Sequence, residues 1–224
     1  GMDIQSCFKK ANEIDDYIDA HFDYAFDEKY GYKTTYPTNT GTGMKAGYTL
    51  HLPSLSDARR LNDISAELGR FGLKFRTVYG DGQNGYGNLY QISTQKTLGQ
   101  DEREVIKDLD DIVLQIVNQE KEQREHFYKK DKIQMDDEIY KSYGVLKYAR
   151  KLSLKDSMVL ISELMTGVSL GVLQFAHNGR YNINELIMDI QPAVLRQNSG
   201  KAMSVAETDV LRAEYIRKYL PEII

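Results

Sequence analysis

TTYPTNTGTGMKAG, residues 34–47, places Pro37, Asn39, Gly41 and Gly43 in close succession between two segments that alternate like strands. Glycines let backbone N–H groups approach an anion, threonines add hydroxyl donors, and Lys45 adds charge at the exit. A second glycine-rich stretch, YGDGQNGYGN at 79–88, follows a strand-like run that carries Arg76. Each stretch reads either as a hairpin loop or as part of an anion site. Neither is a GxxxxGK[ST] loop, and neither sets GxGxxG between a strand and a helix. From the residues alone, the anion has no identity.

Outward from this loop the chain separates into a β-rich part and a helical part. The β-rich runs are GYKTTYPTN (31–39), MKAGYTLHLP (44–53), LKFRTVYG (73–80) and GNLYQISTQ (87–95), each ended by Gly, Pro or Asn. Between the second and third, SLSDARRLNDISAELGRFG (54–72) has a Ser/Asp start and a Gly stop, which predicts a helix. An earlier helix is predicted over 8–26, where Phe8, Ile14, Ile18, Phe22 and Phe26 recur at three-to-four spacing. From Asp101 to about Lys130 a long helix is marked by Val105, Ile106, Leu109, Ile112, Val113, Ile116 and Val117. The rest reads as helix. Four strands with one helix between them, followed by helices, predict an α+β fold with an antiparallel sheet flanked by helices and a helical C-terminal region, divided as 2–132 and 133–224.

Composition limits the function. The chain has 224 residues and a net charge of −4, so nothing general favours nucleic acid or anionic membrane. A single Cys7 forms no internal disulfide, which suits a reducing cytoplasm, and it reads as packed rather than reactive. No apolar run is long enough to span a bilayer. His21, His51, His126 and His177 are scattered, without the spacing of a metal site, and no metal is expected. His51 is out of phase with Leu50 and Leu52, so it points into a site or into water. Asp209, Arg212 and Arg217 share a helix and read on their own as a solvated face with local ion pairs. Gly1 before Met2 reads as a tag remnant.

Together the segments resemble the phosphagen (ATP:guanido) kinase catalytic domain, and within it the bacterial protein-arginine kinase branch. The residues that carry the resemblance are YPTNTGTGMKAG (36–47), HLP (51–53), FRTVYGDGQNGYGNLYQIS (75–93), TLG (97–99), YKSYGVL (140–146), NELIM (184–188), QP (191–192) and the Asp209-x-x-Arg212-Ala213-x-x-Ile216-Arg217 run. The resemblance implies a glutamine-synthetase-type sheet and transfer of the γ-phosphoryl of MgATP to an arginine guanidinium. It implies nucleotide contacts at Lys45, Ala46, Gly47, Tyr48, Thr49, Arg76, Thr77, Val78, Tyr79, Gly80 and Asp81, with Asp81 and Tyr36 at the guanidinium. It implies a phosphoarginine pocket at Thr208, Asp209, Arg212 and Ala213. As partners it implies protein arginine side chains or phosphoarginine proteins, a kinase activator and a Clp-type protease, and it admits a homodimer.

The same resemblance exposes departures. Tyr36 stands where the family carries cysteine, and a phenol of pKa near ~10 is no substitute for a thiolate. Lys45 replaces an arginine and loses its planar fork. Asp81 replaces a glutamate one methylene longer, and Thr208 replaces one arginine of the phosphoarginine pocket. The family's Ser-x-Arg-x-Arg and Asn-Glu-x-Asp-His motifs, which precede the helix at which this sequence starts, are not in it. The expectation is therefore a catalytic-domain portion without substantial kinase activity by itself. The alternative is a non-catalytic module that binds a phosphorylated ligand or a partner protein, or dimerises.

Overall fold

In a computed structural model, which describes residues 2–81, 84–99, 101–176 and 182–224 apart from the side chains of Asp81 and Asn84, the chain is α+β. Helix α1 (Ile4–Asp19) is followed by the short strands β1 (Phe26–Asp27) and β2 (Gly31–Tyr32) and a 3-10 turn at Pro37–Asn39. Then come β3 (Gly47–His51), α2 (Pro53–Asp57), α3 (Leu61–Arg70), β4 (Leu73–Thr77), β5 (Gly80–Asp81), β6 (Asn84–Gly85) and β7 (Leu89–Thr94). The helices α4 (Glu102–Lys130), α5 (Lys132–Tyr148), α6 (Leu154–Ser169), α7 (Ile183–Asp189), α8 (Pro192–Ser199) and α9 (Val205–Tyr219) complete the described chain.

The main sheet has the order β3–β7–β4, antiparallel throughout. Its two faces follow from side-chain alternation. Leu50, Tyr90, Ile92 and Leu73 are buried on one face. Lys74, Arg76 and Thr49 are exposed on the other. Helix α4 covers the buried face with Val105, Ile106, Leu109, Val113 and Ile116, the stripe read from its sequence. Each such side chain contributes roughly 1.5–3 kcal/mol by leaving water. The Asp101 carboxylate caps α4 by accepting from the Arg103 N–H at 2.8 Å, which fixes where the helix begins.

A second core joins α5, α6, α7 and α9 through Ile139, Leu146, Ile161, Leu164, Leu186 and Ile216. Capping boxes start α7 (Asn182 with Glu185) and α9 (Ser204 with Glu207). Glu120 and Arg124 lock the two cores together. The Glu120 carboxylate accepts the N–H groups of Ser54 and Leu55 at 3.1 and 2.9 Å, at the start of α2. It also accepts from Arg124 Nη2 at 2.8 Å, and Arg124 Nη1 donates to Ser169 on α6. Both members of this pair are buried, so each charge is held by several partners at once.

Four sequence expectations change. Of the run 31–39 only Gly31–Tyr32 is strand, and it pairs with β1 rather than joining the main sheet. Its Thr, Pro and Asn residues favour turn geometry over a ladder. The helix expected over 54–72 is two helices, α2 and α3, broken at Arg59, whose φ is 57°. A left-handed residue ends a helical run. The first helix stops at Asp19, and of its stripe Ile14 (62% exposed) and Phe22 (69%) lie in solvent. Cys7 is exposed, not packed, because only Ile4 of α1 is buried.

Candidate active site

The loop quoted at the outset is held from a distance. The single Thr97 hydroxyl proton is shared between the Thr40 carbonyl, 2.7 Å from Oγ1, and the Thr38 carbonyl at 3.0 Å. The Thr42 N–H donates to the Thr97 carbonyl at 2.9 Å. Gly41 sits at φ 113°, and a Cβ there would lie 2.2 Å from the Thr97 carbonyl oxygen, so no side chain fits. Among the described residues, Asn39 Oδ1 is the one buried side-chain polar atom without a hydrogen-bond partner. An unpaired buried acceptor carries a desolvation cost in this loop. Tyr36 does not close the loop over: it is 70% exposed.

Beside the loop lies the open face of the main sheet. Gln91 on the central strand pairs across to Thr49 on β3 and Arg76 on β4, making a row of three. Arg76 Nε donates to Gln91 Oε1 at 2.7 Å, which aims the guanidinium across the strands. One step along, Ser93 pairs with Gly47 and Lys74. Lys45, Lys74 and Arg76 are all exposed. A face with three cations, hydroxyls and a strand residue without a side chain gives a polyphosphate both charge and room for backbone contact. Lys74 was not singled out in the sequence. Its equal parity with Arg76 on one strand was the available signal.

The contiguous nucleotide set expected from resemblance is divided by strand alternation. Lys45, Gly47, Thr49, Arg76, Val78 and Gly80 are exposed. Tyr48 turns to the helix side, where its hydroxyl donates to Asp110 of α4 at 2.6 Å. Burial, reinforced by that carboxylate, pushes the Tyr48 phenol up to about 12. Ala46 and Thr77 are half-buried, and Tyr79 packs against the helical core with its hydroxyl 3.9 Å from Met188 Sδ. Asp81 belongs to β5, but its side chain lies outside what is described. His177 lies outside the described residues altogether.

His51, left between site and solvent by the sequence, points into neither. Its Nε2 is 2.8 Å from Ser162 Oγ on α6, and Asn88 Nδ2 donates to the same oxygen at 3.1 Å. Burial, with the Arg124 charge nearby, lowers its pKa to about 3, so the ring is neutral. It joins the end of β3 to the helical region. The expected phosphoarginine set is also internal: Thr208, Asp209, Arg212 and Ala213 are all buried, Arg212 being 1% exposed. Arg212 Nε donates to the Ile190 carbonyl at 3.0 Å, and its Nη1 donates to the Leu152 carbonyl at 2.9 Å and to Asp209 at 2.6 Å.

Residues 1–123 match the ATP:guanido phosphotransferase C-terminal catalytic domain, and residues 132–223 match the protein-arginine kinase McsB C-terminal domain. The chain belongs to the ATP:guanido phosphotransferase family. It is 39% identical over 220 residues to a protein-arginine kinase of Bacillus subtilis (strain 168), covering 98% of this chain and 60% of that protein. To a protein-arginine kinase of Clostridium kluyveri (strain ATCC 8527) it is 40% identical over 220 residues, covering 98% and 63%. The chain spans about three fifths of the length of the curated relatives it matches. Among solved structures, the substrate-free duplicated taurocyamine kinase from Schistosoma mansoni matches 51% of this chain and 14% of that one at 30% identity, with a TM-score of 0.41. Lombricine kinase matches 44% of this chain and 26% of that one at 29% identity, with a TM-score of 0.37.

Among the described residues, no helix of this family member is long and apolar enough to cross a membrane.

Proposed function

We propose that the chain is the catalytic-domain portion of a protein-arginine kinase homologue and that by itself it transfers little or no phosphate. The observation that carries this reading is the Thr49–Gln91–Arg76 row on the open face of the sheet, flanked by Lys45 and Lys74 and by a pinned glycine loop. MgATP, when bound, supplies the phosphoryl group. Lys45 and Arg76 would neutralise its phosphate oxygens, and the metal ion would be held mostly by those oxygens and by water. Asp81 would orient the arginine guanidinium and take its proton. Against transfer stand the shortened carboxylate at Asp81, the phenol of Tyr36 in place of a thiol, and a point charge at Lys45 in place of a fork.

The supporting division is a sheet region at 2–132 that faces the nucleotide and a helical region at 133–224 that buttresses it. Thr208, Asp209, Arg212 and Ala213, proposed from resemblance as a phosphoarginine pocket, are better read in this closed arrangement as a strut between α9 and the carbonyls of Leu152 and Ile190. Opening a receptor there requires that strut to part. The proposed setting is the cytoplasm. Proposed partners are arginine-bearing or phosphoarginine proteins, with an activator, a Clp-type protease and a second copy of the chain as further ones.

The test is incubation of the chain with MgATP and an arginine-rich protein, followed by assay for acid-labile phosphoarginine. Absence of product, with retained nucleotide binding that Arg76→Ala removes, is the expected result. ATP-dependent arginine phosphorylation by the chain alone, abolished by Arg76→Ala, overturns the inactive reading and leaves the kinase. A second reading, a non-catalytic binding module, is favoured by the exposed Ile14, Tyr17 and Phe22 near the first helix. It expects partner capture that is equal with and without nucleotide.

A further inference from the structure

On the helix side of the sheet, opposite the phosphate-facing row, a cleft of about 450 Å³ opens between the end of α3, the ends of β4 and β7, and the first turns of α4. Its volume falls in the range of small-molecule sites. The floor is apolar, with Leu73, Val105 and Leu109 buried. Its rim carries charges of both signs. Arg70 closes α3 and Lys96 follows β7, while Asp108 and Asp111 stand one turn apart on α4. All four side chains are exposed, and among the described residues none has an ion-pair or side-chain hydrogen-bond partner. Gly72 sits at φ 71°, and the Lys96 stem lies alongside it, its nearest atom 3.7 Å from where a Cβ would stand.

We infer that this cleft binds a basic amino acid, with the side-chain cation at Asp108 and Asp111, the carboxylate at Arg70 and Lys96, and the aliphatic chain over the apolar floor. Two acids on α4 and two cations from α3 and the end of β7 line one apolar base, none of them paired among the described residues, and together they complement a ligand that is cationic at one end, anionic at the other and aliphatic between. A purely apolar ligand would leave the rim unmatched, and an inorganic anion would leave the acids and floor unused. The inference is independent of the phosphate-facing reading, since it uses the other face of the sheet.

The probe is L-lysine, titrated into the full chain while NMR follows the amides of Gly72, Thr94 and Leu109 against those of Thr49 and Gln91. Saturable shifts in the first group alone are expected. Norleucine, which lacks the side-chain ammonium, and cadaverine, which lacks the carboxylate, should each bind roughly tenfold or more weakly, because each loses a charge-assisted contact. Asp108→Asn with Asp111→Asn should weaken lysine and cadaverine and leave norleucine unchanged. Arg70→Gln with Lys96→Gln should weaken lysine and norleucine and leave cadaverine unchanged. These exposed positions tolerate substitution without loss of the fold. Nα-acetyl-lysine binding as well as lysine would assign the ligand to the C-terminal residue of a peptide, and its exclusion to the free amino acid, both within the same chemistry. Absence of shifts around Gly72, or norleucine binding equal to lysine, overturns the inference.

Discussion

Arg76 and Arg212 carry the same guanidinium in opposite surroundings. Arg76 lies exposed on the open face of the sheet, where among the described residues its one side-chain partner is Gln91. Arg212 is enclosed by α9, the end of α7 and the segment before α6, where two carbonyls and a carboxylate occupy it. The first is open to solvent, as the proposed phosphate contact requires, and the second holds helices together. The contrast shows that a motif resemblance does not settle role: the sequence offered both arginines as anion contacts, and their surroundings separate them.

The contrast breaks first at Arg212. Arg212→Met should cost about 3–5 kcal/mol in urea unfolding, because it strands the buried Asp209 carboxylate and two carbonyls. If stability instead falls by less than about 1 kcal/mol, Arg212 is no strut and the receptor reading regains ground. Glu120→Gln ranks next, at about 2–3 kcal/mol, since Arg124 loses its counter-charge while α2 keeps one acceptor. Thermal unfolding of the variant measures it, and an unchanged midpoint would mean the two cores are joined elsewhere.

His51 sharpens the same point through pH. Its pKa in the fold is about 3, below the 6.5 of an unperturbed ring, so under acid conditions the unfolded chain binds a proton that the native state refuses. The stability tied to the neutral ring is whole above 6.5 and is lost as pH falls towards 3. The slope is at most about 1.4 kcal/mol per pH unit. Asp57 and Glu163, whose carboxyls burial pushes up, act in the opposite sense, so the comparison of wild type with His51→Gln isolates the histidine. The variant should show the shallower loss over that window. Smallest is Arg76→Ala, which should move stability by no more than about 0.5 kcal/mol while removing phosphate affinity, as read by nucleotide titration. A large loss of stability there would make Arg76 structural and erase the contrast.

The sequence revealed the parts whose physics is local. Period-two burial along β7 and the apolar stripe of α4 were readable because each depends on one element meeting one face. The break at Arg59 was not, since a left-handed arginine leaves no compositional mark. The run at 31–39 looked like strand by its threonines and tyrosines, yet its turn residues prevailed without a neighbouring strand to complete a ladder. For the candidate site, the glycine loop and the neighbouring cations stand out in the sequence, but which side chains of a contiguous run share a face required the strand register. The buried state of Arg212 was hidden for another reason. The carbonyls of Leu152 and Ile190 that receive it come from distant segments, and carbonyls have no letter in a sequence.

The Thr97 clamp has a consequence for anyone who would transplant this loop. Residues 38–42 owe their shape to a hydroxyl and a carbonyl contributed far downstream, and Gly41 is cut to fit that carbonyl. The loop is therefore not a cassette. Moved alone to another scaffold it would arrive without its template, whereas loop and Thr97 moved together form a unit of inheritance split across the chain.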